Sequence, residues 1–290
     1  MKNGRIIVNG YWQNEATLHQ VSSLTEAFMR RGVSMTVVKG NELPAYIDGG
    51  KVVSCLGEPD FILYLDKDVH AAQLLEKAGF RLFNRAATVR LCDDKMLTYA
   101  ALANEGFLIP KTISSPLMYR SYPDRFYERV EAEIPYPVVV KNVFGSMGRG
   151  VYLAENREEL VRIRKELELL PHLYQRRVGA DHGLDIRIVV IGGKAVASMR
   201  RENFSDFRSN IELGGTGTAC AITDAQRSAA ERAAQVLGAD YCGVDIIPDG
   251  EKNYLCEVNS NAFFRGITRA TGVDIAGLYA DYIVKCVYGG

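Results

Sequence analysis

The apolar positions in the first third of the chain switch repeatedly between two periods. Arg5–Val8 is a short apolar strand, and His19–Arg31 carries apolar residues at helical spacing. Gly32–Val38 and Phe61–Leu65 return to strand character before Val69–Ala78 turns helical again. Strand alternating with helix predicts a small parallel-sheet unit over residues 1–84. Ligands gather in the loops that follow such strands. Two loops qualify, Asn9-Gly10-Tyr11-Trp12-Gln13-Asn14 and Asp66-Lys67-Asp68, and helix capping would account for either equally well.

The pattern changes over 85–174. Asp93–Glu105 reads as an amphipathic helix with Asp93 or Asp94 near its start and Gly106 at its end. Pro137–Lys141 and Val151–Ala154 are strands, and Arg157–Leu169 is a helix capped by Asn156 with Glu158-Glu159 in its first turn. Residues 175–290 are richer in strands. Asp185–Ile191 and Lys194–Arg201 form a hairpin around Gly192-Gly193, and Thr223–Leu237 is helical. A second hairpin turns at Asp249-Gly250, and Ile275–Val287 is a closing helix. No long linker separates the three units, so they are expected to pack around one cleft.

The second hairpin carries a chemical signal. If it is symmetric about residue 251, Asp245 faces Glu257 across the ladder, and Asn259, two residues on, shares the face of Glu257. Carboxylates opposed on one face repel each other. A hard cation such as Mg²⁺ relieves that repulsion and takes the oxygen ligands that Asp, Glu and Asn supply. The alternative is a solvated edge hairpin.

A second signal lies between the strands at Lys141 and Val151. The turn Gly145-Ser146-Met147-Gly148-Arg149-Gly150 can turn its backbone N–H groups toward phosphate oxygens. It is neither a Walker A loop nor a dinucleotide fingerprint, because it joins strand to strand. A Gly-rich hairpin of this kind suits a mobile lid. Lys141 points with Val139 to the face opposite Val138 and Val140. Lys95 opens a helix, where its charge opposes the helix dipole and calls for an anion nearby. Asp185 and Arg187 share one strand face, Arg201 ends the next strand, and Arg208 and Asn210 follow in Phe207-Arg208-Ser209-Asn210. A guanidinium suits phosphate or carboxylate, although cross-strand pairing with nearby acids would explain Arg187 and Arg201 as well.

Composition narrows the classes. Lys+Arg and Asp+Glu are both 35 in a chain of 290 residues, which argues against a general nucleic-acid or membrane surface. No apolar run reaches bilayer length, and the N-terminus enters a strand without a signal-peptide core. The six cysteines are dispersed with no CxxC pair and read as buried free thiols in a reducing cytoplasm.

Taken in order, DDK at Lys95, PVVVK followed by GSMGRGV, GLDIR at Asp185, M-x-R ending at Arg201, FRSN with Gly214-Gly215, GVDI at Asp245, EVN at Glu257 and TGVDIA at Thr271–Ala276 resemble the ATP-grasp superfamily. The chain is most similar to its RimK-type carboxylate–amine ligases, the α-L-glutamate ligase group, from about Asn84 to Tyr282. The resemblance implies an α/β fold with α+β lobes, divided into an N-terminal Rossmann-like parallel domain (1–84), a central ATP-grasp lobe with the Gly-rich lid (85–174) and a C-terminal lobe with the metal site (175–290).

It also implies roles. Lys95 and Lys141 would contact ATP phosphates, and Gly145, Ser146, Met147, Gly148 and Gly150 would close over them. Gln175, Arg176, Arg177 and Val178 would form the hinge strand that reads adenine, with Asp185 on the ribose. Arg208 and Asn210 would meet nucleotide and metal-bound phosphates, and Asp245, Glu257 and Asn259 would hold two Mg²⁺ ions, with Mn²⁺ as a substitute. Arg201 is the expected stabiliser of an acyl phosphate, aided by Lys141 and Arg187. Arg176 and Arg177 depart from the family, which places an acid and then an aromatic or apolar residue after the hinge Gln. The expected partners are a small amino acid and an amine or peptide acceptor, without nucleic acid or membrane, and the family's habit implies a homodimer. Asp66 or Asp68 could orient the amine, and Ser260–Arg265 could wall its pocket. An ATP-binding regulatory protein and a phosphotransferase that stops at phosphorylation are the rival readings.

Overall fold

A computed structural model describes residues 2–11, 14–120 and 125–289. Trp12 and Gln13 of the first candidate loop lie outside the described residues.

The first sheet is parallel, in the order Ser34–Lys39, Asn3–Val8, Phe61–Tyr64, Leu82–Phe83. Period-two alternation divides its side chains between two cores. Ile6, Val8, Phe61 and Leu63 pack with Leu24 and Phe28 of the helix Glu15–Met29. Ile7, Ile62 and Tyr64 pack with Ala72 and Leu75 of the helix Val69–Lys77. Strands covered on both faces read as continuous apolar runs, which is why they were legible. The antiparallel pair Ala45–Asp48 and Lys51–Ser54 was not predicted.

The second sheet is antiparallel, in the order Thr112–Ser114, His172–Arg176, Val138–Asn142, Val151–Ala154. Val138, Val140 and Tyr174 face a core made with Val130 of the helix Phe126–Glu133 and Leu160, Ile163 and Leu167 of Arg157–Leu167. The opposite face therefore carries Val139, Lys141 and Gln175.

The third sheet is antiparallel, in the order Thr216–Ala219, Lys194–Asn203, Gly183–Ile191, Tyr241–Asp249, Lys252–Asn259. One face packs on the helices Asp224–Val236 and Lys95–Leu102. The other face changes character along its strands. Val189, Ile191, Met199 and Tyr241 join the helices Arg265–Thr271 and Ile275–Tyr288 in the same core as Ile6, Phe28 and Phe61 of the first sheet. Beyond them that face is charged.

The helix expected over Asp93–Glu105 is Lys95–Leu102, started by Asp94 as expected but ending short of Gly106, and an unpredicted helix, Ala86–Asp93, precedes it. Asp94 breaks the run: it adopts an extended backbone, and its carboxylate accepts from the N–H groups of Met96 and Leu97. The interruption brings Lys95 to the first turn of the second helix, where its own N–H donates to Val143 O at 3.1 Å.

Candidate active site

The charged face of the third sheet is built by register. Asp185 pairs with Arg201, Arg187 with Asp245, and Asp245 with Glu257, so acids and bases meet on three adjoining ladders. Arg201 Nε and Nη2 donate to Asp185 Oδ1 and Oδ2 at 2.7 and 2.6 Å, and Nη2 also lies 2.8 Å from Asp245 Oδ2. Arg187 Nε and Nη2 donate to Asp245 Oδ1 and Oδ2 at 2.8 and 2.7 Å. Ser209 Oγ donates to Asp185 Oδ2 at 2.5 Å. Cross-strand pairing of the two arginines is thus present, in a desolvated setting where charge-assisted bonds are strong.

The Asp245–Glu257 pairing depends on a β-bulge. From the turn the ladder runs Asp249↔Lys252 to Ile246↔Leu255, then shifts so that Asp245 meets Glu257 and Cys256 is the extra residue. Without the bulge Asp245 would face Cys256, and Glu257 would point to the opposite face. The two-residue turn is therefore Gly250-Glu251, and the axis through residue 251 holds only beyond the bulge. With it, both Cys256 and Glu257 line the cleft.

Two lysines project into the same cleft. Lys141 is 7% exposed, and its Nζ donates to Gln175 Oε1 at 2.7 Å with Cys256 Sγ 3.8 Å away. The Tyr99 hydroxyl also bonds it. Burial disfavours its ammonium, but Cys256, Tyr99 and Glu257 together outweigh burial and hold it above the usual range, with no carboxylate paired to it among the described residues. Lys95 Nζ donates to Gly145 O and lies 3.5 Å from Glu257 Oε1. Burial raises the carboxyls of Glu257 and Asp245, but nearby cations outweigh it and hold both below the usual range. Lys95 does this for Glu257, and Arg187 and Arg201 do it for Asp245. The Asp245 charge still pushes Glu257 upward.

The Gly-rich turn is clasped from both sides. Lys95 holds Gly145 O, and Arg208 Nη1 donates to Gly148 O at 2.9 Å and Val151 O at 3.3 Å. Gly148 has φ +75°, and a Cβ there would meet Leu213 Cδ1 at 2.7 Å and Asn210 Oδ1 at 2.8 Å.

Two cavities flank this arrangement. The first, about 910 Å³, has an apolar wall of Val139, Val178, Leu184 and Ile247 and a charged wall of Lys95, Lys141, Asp185, Arg201 and Asp245. The second, about 1350 Å³, is lined by Asn9, Asp66, Lys67, Met147, Arg187, Asn259, Asn261 and Phe263 among others. They share Gly145, Ser146, Asn210 and Glu257.

The RimK-like ATP-grasp domain matches residues 92–283 of this chain. The chain belongs to the RimK-like ATP-grasp family. It is 35% identical over 228 residues to "Beta-citrylglutamate synthase B" of Danio rerio, covering 76% of this chain and 54% of that protein. It is 35% identical over 213 residues to "Probable alpha-L-glutamate ligase" of Maridesulfovibrio salexigens, covering 72% of this chain and 69% of that one. The chain thus spans about half the length of the first of these relatives. In fold it resembles the RimK domain protein ATP-grasp from Sphaerobacter thermophilus, with a TM-score of 0.73 at 23% identity over 97% of this chain and 99% of the other.

Within this ATP-grasp chain, the residues picked from sequence converge with few exceptions. Lys95, Lys141, Gln175, Arg176, Arg177, Val178, Asp185, Arg201, Arg208 and Asp245 line the first cavity, and Met147, Arg187 and Asn259 line the second. Gly145, Ser146, Asn210 and Glu257 line both, and Gly148 lines the first. Gly150 lines neither: at φ +71° it closes the turn, its carbonyl accepting from Asn142 N–H at 2.8 Å.

The hinge strand requires a correction. It spans His172–Arg176, and Arg177 and Val178 follow it outside any ladder. Arg177 Nη2 donates to the carbonyls of Ala180 and Asp181, which turns the chain away from the sheet, and Arg176 Nη2 reaches Tyr254 Oη at 3.1 Å. Asp68 serves as a helix cap, accepting from Ala71 N–H, whereas Asp66 lines the second cavity. The thiols are free but not uniformly buried: Cys55 is exposed, because its segment follows the edge of the unpredicted hairpin.

Sequence reading missed Ser209 and Cys256. The FRSN motif pointed near Ser209, but nothing in a period-two pattern announces a bulge at Cys256. Among the described residues no three His, Cys, Asp or Glu side chains form a metal cluster. The expected third donor, the amide of Asn259, lines the second cavity with Glu257. This all-oxygen set fits a hard divalent cation, and the residual Asp245–Glu257 repulsion is what such a cation would relieve.

Proposed function

We propose that this chain is an ATP-dependent carboxylate–amine ligase that joins an amino acid such as glutamate to an amine or peptide acceptor. A substrate carboxylate attacks the γ-phosphate of ATP, giving an acyl phosphate and ADP, and an amine then displaces phosphate to form the amide. The observation that carries this reading is the meeting of two cavities at one shared wall, Gly145, Ser146, Asn210 and Glu257, beside two buried lysines. A nucleotide in the first cavity would present its terminal phosphate there to a carboxylate in the second.

The residues divide the work. The apolar wall and the backbone from Gln175 to Val178 take the base. Lys95, Lys141 and Arg208 hold phosphate oxygens, and the Gly145–Gly150 turn keeps water from the acyl phosphate. Asp185, expected on the ribose, is already bonded by Arg201 and Ser209, and we assign it to hold Arg201 in place for the acyl phosphate and the tetrahedral adduct. Arg187 extends that positive wall into the second cavity. Mg²⁺ held by Asp245, Glu257 and Asn259, as two ions, would neutralise charge on the transferring phosphoryl group. In this reading 1–84 supplies the acceptor side, 85–174 the lid and 175–290 the metal ligands. The free thiols suit a reducing compartment such as the cytoplasm, and no helix among the described residues is long and apolar enough to cross a membrane.

The test is ADP release by purified protein with Mg-ATP and a panel of amino acids, singly and in pairs, L-glutamate first, alongside Glu257→Gln. Release that requires a particular pair and collapses in the variant supports the ligase. Equal release by the variant would remove Glu257 from the chemistry.

A further inference from the structure

Asp66 stands at the carboxyl end of the central parallel strand, on the wall of the second cavity. The residue is 7% exposed. Oδ1 accepts from Lys67 N–H at 2.7 Å and from Asn9 Nδ2 at 3.2 Å, and among the described residues no cation pairs with it. Two cations on the same cavity wall, Lys67 and Arg187, are paired with other carboxylates. Lys67 Nζ lies 2.5 Å from Asp93 Oδ1, and Arg187 is bonded to Asp245. With two neutral hydrogen bonds and no paired cation among the described residues, this carboxylate has capacity left for a charge-assisted bond.

The place of Asp66 in the cavity is set by neutral contacts. Asn9 Oδ1 accepts from Tyr11 N–H at 2.9 Å, which orients its amide toward Asp66. Asn261 Nδ2 donates to Leu65 O at 2.6 Å, tying the end of the Asp66 strand to the loop after Asn259. Asp66 and Glu257 therefore belong to one cavity wall held by both the first and third sheets.

We propose that Asp66 binds the ammonium of the amine substrate and holds it in the second cavity, facing the shared wall where the acyl phosphate forms. The inference rests on the ligase reading. A substrate ammonium supplies the cation that no described residue gives Asp66, through a charge-assisted bond.

Asp66→Asn tests it, because the amide oxygen can still accept from Lys67 N–H and Asn9. The pair of amino acids giving the fastest wild-type ADP release is assayed for amide, and hydroxylamine then replaces the amine to trap the acyl phosphate as hydroxamate. Hydroxylamine is largely uncharged at neutral pH and does not need an ammonium site. The expected result is an amine KM raised about tenfold or more, hydroxamate formation reduced far less, melting temperature held, and partial recovery in Asp66→Glu. Equal loss of amide and hydroxamate, or an unchanged amine KM, would overturn the assignment. A wild-type protein that makes neither product overturns the ligase reading itself, whatever the variant does.

Discussion

Lys141 is the side chain at which burial and charge are most opposed. Desolvation disfavours its ammonium, but Cys256, Tyr99 and Glu257 outweigh it and raise its pKa, while its direct contacts are Gln175, Cys256 and Tyr99 rather than a carboxylate. A phosphate would supply the missing anion. Lys141→Ala should therefore raise the KM for ATP about tenfold or more while lowering the melting temperature little, since an unpaired buried charge contributes weakly to stability. A large stability loss at unchanged ATP KM would make the lysine structural. Asp245 gives a prediction in pH. Its carboxyl is held below the usual range in the folded state, so its stabilisation is complete above the ordinary value near ~4 and is lost as pH falls through the depressed one. Urea unfolding at stepped pH should show a flatter acid limb for Asp245→Asn than for the wild type; identical limbs would remove Asp245 from the linkage. The residue types at this site were legible because Lys, Arg, Asp and Glu are seldom placed in apolar strands without a task. Cross-strand pairing of Arg187 and Arg201 was legible as an alternative, but its partners were not, because Asp185–Arg201 and Arg187–Asp245 are set by register between strands.

Among the elements, the lid shows how backbone geometry constrains closure. At Gly148 a side chain would need an unfavourable positive φ and would collide with Leu213 and Asn210. Gly148→Ala should cost the closed lid about 1–3 kcal/mol, read as a rise in ATP KM, with global unfolding nearly unchanged because the turn lies outside the buried cores. Wild-type nucleotide binding in the variant would show that the closed lid is not needed. The helix Asp224–Val236 offers the converse. Thr223 caps it in a reciprocal capping box with Gln226, so Thr223→Ala should lose about 1 kcal/mol of stability in urea titration and leave substrate-dependent ADP release intact. Helix Arg157–Leu167 and the apolar strands were foreseen because capping and periodicity are local properties. The bulge at Cys256 was not, since it exchanges one local hydrogen-bonding pattern for another that distant packing favours.

For the whole molecule, the first and third sheets share a hydrophobic core, and Asn84 fastens them together. It is 1% exposed, donates to Tyr241 O and Ser260 O at 2.7 and 2.8 Å, and accepts from Asp240 N–H at 2.7 Å. Asn84→Ala would strand those backbone groups, and a loss of about 3 kcal/mol in urea unfolding is expected. A neutral result would mean that water replaces the amide. The same joint sets the spacing across the second cavity, where Asp66 from the first sheet and Glu257 from the third meet one space. The sequence by itself determined the alternation of strands and helices, the polar faces and the ordered motifs, because each depends on neighbours a few residues apart. Only the tertiary structure decided that Glu257 faces the cleft, that two cavities meet at it, and that no cation among the described residues pairs with Asp66. Those facts depend on register, on a single inserted residue and on which groups share a desolvated wall, and these are settled only when distant segments pack.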